Sequence, residues 1–480
     1  MTFQDGATLK KESNHTAFKA GVSYVFSSIM LRSVSVMTTP IFARLLTTSE
    51  YGEVSTFNSW YSLLTILFTL CLNYSIGRAK LDYPNHLDEF IGSVQILSAI
   101  ISGIIAAIAL LFIQPVSHIL DLSPFLVCLL VIYLFFTPTI TFYHDAYRYR
   151  YEYKKNIGVA WYTVLSTTVL SLVLILLIKG NKALLRCIGI TVPSVILSLY
   201  FWYLSKKEQI LNYNREFWIY GLKLSLPLVA HSISGTVLIQ SDRIFIRKLW
   251  SASDVAIYTL AYNYGSLISM IMVAVADAWV PWFHDNYNDG KNSQIRDKVK
   301  PIVILSCYLA LGSIALAPEA VLILGGEKYM GGLNCVPPIV LGVLSQQIYT
   351  HYVNIEMHLK KTKYISVGTI FAAVLNLALN AVFVPKYGFA AAAYTTLFSY
   401  AALLFIHFLI TRLILKVKLY DDVFMFGIAL ISGALSIILV YLYNHSLIRY
   451  VVTMAGFLSM IWVFRSTAFS LIRRTHGGNV

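Results

Sequence analysis

Fourteen apolar runs leave this chain one class of fold. They lie near residues 18–42, 54–76, 90–113, 123–142, 157–178, 183–204, 218–242, 255–283, 301–324, 335–357, 364–384, 388–411, 423–443 and 447–470. Each is close to the twenty or so residues that an α-helix needs to cross a hydrocarbon core of about 30 Å. Inside lipid every backbone polar group must be satisfied within the segment, so runs of this length are helices. The sequence therefore predicts an all-α polytopic membrane protein with about 14 transmembrane helices. The connections are short, the longest being some seventeen residues after Phe283. They leave no room for a soluble catalytic domain, so the chain reads as a transporter rather than an enzyme, with no cofactor and no metal motif.

The charge agrees with that reading. Only 12% of the 480 residues are charged against 57% hydrophobic, about half the charge of a soluble domain. A formal net charge of +14 would point to nucleic acid in a soluble protein; here its distribution decides. If both termini are cytosolic, 26 of the 37 Lys and Arg fall on the inner side and 10 on the outer, with Arg32 left inside a span. That bias sets both ends in the cytosol. The segment YRYRYEYKK (147–155) alternates Tyr with basic residues, as base-stacking surfaces do. Because it follows a span on the inner face, it is a membrane-interface belt facing anionic headgroups, and no nucleic-acid partner is expected. Residues 1–17 carry Asp5, Lys10, Lys11 and Glu12 and lack the pattern of a secretory signal, so they read as a polar cytosolic tail. The five cysteines (71, 128, 187, 307, 335) lie in or beside apolar runs without metal-like spacing and read as free thiols.

The first run holds the most informative residue. Arg32 stands in the middle of Phe18–Phe42, where a cation costs roughly 2.5 to 3.5 kcal/mol on insertion scales unless it faces protein or water. An internal repeat accompanies it. Ile41-Phe42-Ala43-Arg44 aligns with Ile244-Phe245-Ile246-Arg247 at an offset of 203, Glu50 then meets Asp254, and Val169-Leu170-Ser171-Leu172 aligns with Val374-Leu375-Asn376-Leu377 at 205. Six spans per copy is an even number, so the two copies sit the same way up, and substrate sites in such proteins lie between halves near the midplane. The expected organisation is a tail (1–17), an N-lobe (18–210), a C-lobe (211–415), and a C-terminal hairpin with its tail (416–480).

PIFARLLTTSEYGEVSTFNSW (40–60), AWVPWF (278–283) and LNLALNAVFVPKYGFAAAAYTTLFSY (375–400) resemble the Wzx-type polysaccharide flippases of the multidrug, oligosaccharidyl-lipid and polysaccharide exporter superfamily. The resemblance implies two pseudo-symmetric six-helix lobes and a hairpin around a central cavity, working by alternating access. It implies a cargo of undecaprenyl-pyrophosphate-linked oligosaccharide, carried to the outer leaflet of the bacterial cytoplasmic (inner) membrane for O-antigen or capsule assembly. The implied surroundings are membrane lipids, a coupling ion (proton or sodium) and polysaccharide polymerase machinery, with the chain itself a monomer. A peptidoglycan lipid-precursor flippase and a cation-coupled drug exporter share the superfamily and stand as alternatives.

Moving a pyrophosphate through lipid calls for cations along the path. Arg32 is the leading candidate, because guanidinium meets phosphate oxygens bidentately; its repeat position is Gly235, so the charge is not a scaffold feature. Arg78, after the second span, is placed to receive the headgroup or else simply satisfies the inner-side rule. His231 lies within a turn of the repeat position of Arg32 and could share the phosphate or take up a proton, unless it is an ordinary core histidine. Asp242 and Arg243, near the outer end of the seventh span, form either a gate or interfacial charges. Asp277, near the cytosolic rim of the eighth, is an ion-coupling group or an interfacial one. Glu356, with His351 and His358, stands close to Lys360 and Lys361 and reads as a helix end.

Overall fold

The computed structural model describes residues 38–208 and 210–476. They divide into two compact units, Met1–Ala256 and Ile257–Val480, each all-helical among the described residues. Arg32 lies outside the described residues.

In the first unit, residues 38–45 are helical and lead into α1 (Thr48–Thr69), a short turn of 3₁₀ helix (Leu72–Tyr74), α2 (Ser75–Asp82), α3 (Leu87–Leu111), α4 (Ile113–Leu120), α5 (Pro124–Tyr149), α6 (Tyr153–Leu177), α7 (Lys182–Lys207) and α8 (Arg215–Leu249). Helix α9 (Ala252–Gly265) begins in this unit and runs into the second, which continues with α10 (Leu267–Asn288), α11 (Asn292–Ala315), α12 (Ala317–Gly325), α13 (Val336–His358), α14 (Thr362–Tyr387), α15 (Ala391–Leu409), α16 (Asp422–Tyr441) and α17 (Ser446–His476). Among the described residues, eleven helices are long and apolar enough to cross a membrane. A bent pair, α1 with the segment Leu72–Asp82, makes a twelfth if counted as one span.

Helix starts are written into the sequence. Thr47 accepts the Glu50 N–H while the Glu50 carboxylate accepts the Thr47 N–H, a reciprocal capping box. Ser123 caps α5 ahead of Pro124, where a missing N–H costs nothing. Asn181, Asn214 and Asp421 cap α7, α8 and α16. The Asp421 carboxyl, outside the apolar segment, is held below the usual carboxylate range first by the Phe424 N–H it accepts and then by Lys300. Ser251 accepts from the Asp254 N–H as Thr47 does from that of Glu50. The Thr48 hydroxyl donates to the Ser253 hydroxyl at 3.0 Å.

Lipid supplies little hydrophobic drive for helix association, so close approach through small residues and hydroxyls does the work. Gly52 sits against the Ala252 carbonyl, and Gly189 against the Ser171 backbone. Ser and Thr inside the helices donate back to their own fourth-preceding carbonyls, as Ser55, Thr56 and Ser59 do in α1, so no hydroxyl among these three is stranded in the bundle. Ser198 instead donates across to the Phe136 carbonyl at 2.6 Å and ties α7 to α5. In the second unit the C-terminal pair is fastened by charge. Arg449 of α17, 2% exposed, pairs with Glu319 of α12, the Tyr450 hydroxyl donates to the same carboxylate at 2.6 Å, and the Tyr443 hydroxyl donates to the Ile314 carbonyl at 2.9 Å.

Candidate functional site

The first unit contains a broken helix. Leu70 and Cys71 both adopt left-handed conformations, with φ 43° and 55°, and the chain turns by 60° between α1 and the segment that follows. For non-glycine residues that conformation costs about 1 kcal/mol or more apiece and persists only where the surroundings enforce it. Here they do so by taking up freed backbone groups: Thr69 Oγ1 accepts the Cys71 N–H, and Ser102 of α3 donates to the Phe68 carbonyl at 2.9 Å. Broken helices inside membranes are confined to places buried in protein or facing water, and transporter binding sites use them.

Polar groups gather around the break. Asn73 Nδ2 donates to Asp145 Oδ2 of α5 at 2.8 Å. The Ser232 hydroxyl of α8 lies against Cys71 and Tyr74. Beside it on α8, His231 holds a buried Nδ1 with no hydrogen-bond partner among the described residues. In α2, the Arg78 side chain is 62% exposed, and its Nε donates to Asp82 Oδ2 at 2.9 Å. The same oxygen accepts from the Tyr220 hydroxyl at 2.6 Å. Tyr220 belongs to an aromatic group with Tyr83 and Phe90. The break thus brings a guanidinium paired with Asp82, an amide paired with Asp145, an imidazole and aromatic faces into one unit.

Eleven residues beyond His231 on α8, about 16 Å of helix, a second polar group is buried. Asp242 is 0% and Arg243 5% exposed. Arg243 Nη1 donates to the Ile239 carbonyl at 2.7 Å and to Gln240 Oε1 at 3.4 Å, and Ser59 of α1 donates to the same Gln240 oxygen. Both charged side chains are buried inside the first unit. Asp277 belongs to α10 in the second unit and is exposed.

Other residues carried little signal in the sequence. Asp145 sits four residues from the end of α5 and has a partner 72 positions away in the chain. Arg186 counts as a loop cation by position, yet its guanidinium lies 3.7 Å from the centre of the Phe42 ring and donates to Ser171 Oγ at 2.5 Å. Glu356, expected as a helix end, is 0% exposed and contacts His407. Among the described residues, no group of three or more His, Cys, Asp or Glu is placed to hold a metal ion.

The fold is similar over nearly its whole length to the lipid II flippase MurJ in its inward closed conformation, with a TM-score of 0.71 at 15% identity, covering 92% of this chain and 99% of that one. It is also similar to a multidrug resistance MATE family transporter of the MOP superfamily in an inward-facing conformation, with a TM-score of 0.58 at 13% identity, covering 80% and 98%. In sequence, the Lsg locus protein 1 of Haemophilus influenzae is 21% identical over 370 residues, 75% of this chain and 90% of that protein. The family described as polysaccharide biosynthesis protein matches residues 18–286, a stretch that runs from the first apolar span through the broken helix and all of α8. With that match extending over more than half of its length, this multi-pass membrane protein belongs to the polysaccharide biosynthesis protein family.

Proposed function

We propose that the protein is a flippase that moves undecaprenyl-pyrophosphate-linked oligosaccharide units across the bacterial cytoplasmic membrane by alternating access, supplying O-antigen or capsule assembly. The observation that carries this reading is the combination of a polysaccharide-biosynthesis family match over residues 18–286 with a fold similar over 92% of the chain to that of a lipid flippase. The broken helix with its exposed Arg78 and unsatisfied His231 supports an anionic cargo. In this reading both termini are cytosolic, Arg32, Arg78 and His231 meet the pyrophosphate, and Asp242, Arg243 and Asp277 serve gating or ion coupling. The chain acts as a monomer that hands its cargo to polymerase machinery.

A peptidoglycan-precursor flippase is the second reading, favoured by the higher similarity to the lipid II flippase than to the drug transporter. Complementation separates the two, since rescue of surface glycan in a strain lacking its own polysaccharide flippase supports the first, and rescue of a lipid II flippase deletion supports the second. Within the first reading, Arg32→Ala removes a charged hydrogen-bond partner of the pyrophosphate worth about 3 kcal/mol, roughly a hundredfold in affinity. Surface glycan measured by gel should therefore vanish with alanine and partly survive Arg32→Lys. Full assembly with alanine would exclude Arg32 from the transport path.

A further inference from the structure

We infer that Glu356 and His407 form the proton-binding site that couples transport to the proton gradient. This inference rests on the flippase reading and names its coupling ion. His407 Nδ1 and Glu356 Oε1 are 2.8 Å apart, and both side chains are 0% exposed. Their outer atoms, Glu356 Oε2 and His407 Nε2, are buried without hydrogen-bond partners among the described residues. The ring of Tyr349 stacks on His407 at 5.5 Å, and a Cβ added to Gly368 of α14 would meet Nε2 at 3.0 Å. The pair thus joins α13 to α15 with α14 closed over it.

Charge counting gives the chemistry. With one shared proton the pair is net neutral as carboxylic acid beside imidazole, the arrangement that leaves no separated charge in a dry interior. Releasing the proton to water breaks one O–H or N–H bond and leaves a carboxylate that still accepts from the Nδ1–H of neutral imidazole. The site then carries a net negative charge, which is costly in a dry interior. Proton exchange therefore requires water to reach the pair, so proton occupancy is tied to which side of the protein is open. A proton bound when the site is sealed and released when it is wetted is what a coupled transporter needs.

The titratable neighbours have partners of their own. On α13, Tyr352 donates to Asp422 at the start of α16, and Asp422 pairs with Arg412 of the turn after α15. His358 stands against His284 of α10. Lys300 of α11 pairs with Asp421, and Lys363 of α14 lies over Tyr364. The Lys361 N–H donates to the Glu356 backbone carbonyl, not to its carboxylate.

The test combines infrared difference spectra of the purified full chain, stepped across roughly pH 5 to 8, with glycan assembly in cells. The expected spectrum contains a carboxylic C=O band that disappears in Glu356→Gln and shifts in His407→Gln. The double variant Glu356→Gln with His407→Gln can keep an amide–amide hydrogen bond without a titratable proton. It should fold with wild-type thermal stability and lower surface glycan at least tenfold, whereas a purely structural pair would leave assembly intact in that variant. No Glu356-dependent band, or wild-type assembly by the double variant, overturns the proposal, and if the variants do not fold, a wild-type spectrum without a titrating buried carboxyl overturns it as well. Deleting the gene separates the two claims. Assembly unchanged by deletion removes the flippase reading, whereas assembly lost on deletion but kept by the double variant removes only the proton site.

Discussion

Gly52→Val should prevent the first unit from folding. A Cβ at residue 52 would lie 1.7 Å from the Ala252 carbonyl oxygen and 2.5 Å from its carbon, and backbone cannot swing aside as a side chain does. Helix α1 or the start of α9 would have to move by more than an ångström, which in a packed bundle costs roughly 3 kcal/mol or more. The Thr48–Ser253 hydrogen bond, four residues before Gly52 in α1, would go with it. The expected outcome is little protein in the membrane fraction and a collapsed melting transition in detergent. Gly427→Ala and Gly433→Ala serve as controls, because a Cβ at either position meets nothing within 4 Å and alanine favours helix. If Gly52→Val melts with those controls, the close approach of α1 to Ala252 does not exist in solution.

Arg449→Ala should release the C-terminal helix pair. Removing one partner of a fully buried ion pair costs about 3–5 kcal/mol. Because the Glu319 side chain is 33% exposed, the charge left behind is partly solvated and the expected cost is about 1–3 kcal/mol. Among the described residues, Glu319 would then keep the Tyr450 hydroxyl as its hydrogen-bond partner. The guanidinium also lies 5.8 Å from the Tyr443 ring centre and 5.2 Å from that of Tyr450, and both contacts vanish with alanine. Proteolysis in the connection around residues 442–446, together with thermal melting, reads the effect. Arg449→Lys retains charge without the planar fork and should fall between alanine and wild type. Unchanged proteolysis in the alanine variant would mean that apolar packing alone holds the pair in place.

Much of the helical layout was legible, because it rests on local chemistry. Ser123 before Pro124, Asn181 before α7 and Asn214 before α8 mark starts of apolar runs, and Thr47–Glu50 and Ser251–Asp254 cap helix starts at the same spacing. What escaped depends on partners distant in sequence. The turn at Leu70–Cys71 contains neither Gly nor Pro, so nothing local announces it, and Ser102 on another helix helps to satisfy it. Glu356 was read from nearby Lys360 and Lys361, whereas its contact is His407, 51 residues away. Arg186 and Arg449 lie at span ends where loop cations belong, and only packing turns them inward. Asp242 and Arg243 were legible as a charged pair, but their burial follows from α1 lying alongside α8.

The flippase reading is tested most directly by transport itself. The purified chain would be placed in liposomes containing a fluorescent undecaprenyl-pyrophosphate oligosaccharide, and exposure of the sugar to an impermeant quencher followed over time. If the reading is right, the lipid-linked sugar crosses between leaflets faster than in protein-free liposomes, and Arg32→Ala returns it to the protein-free rate. Crossing no faster with the wild-type chain than without it would contradict that function.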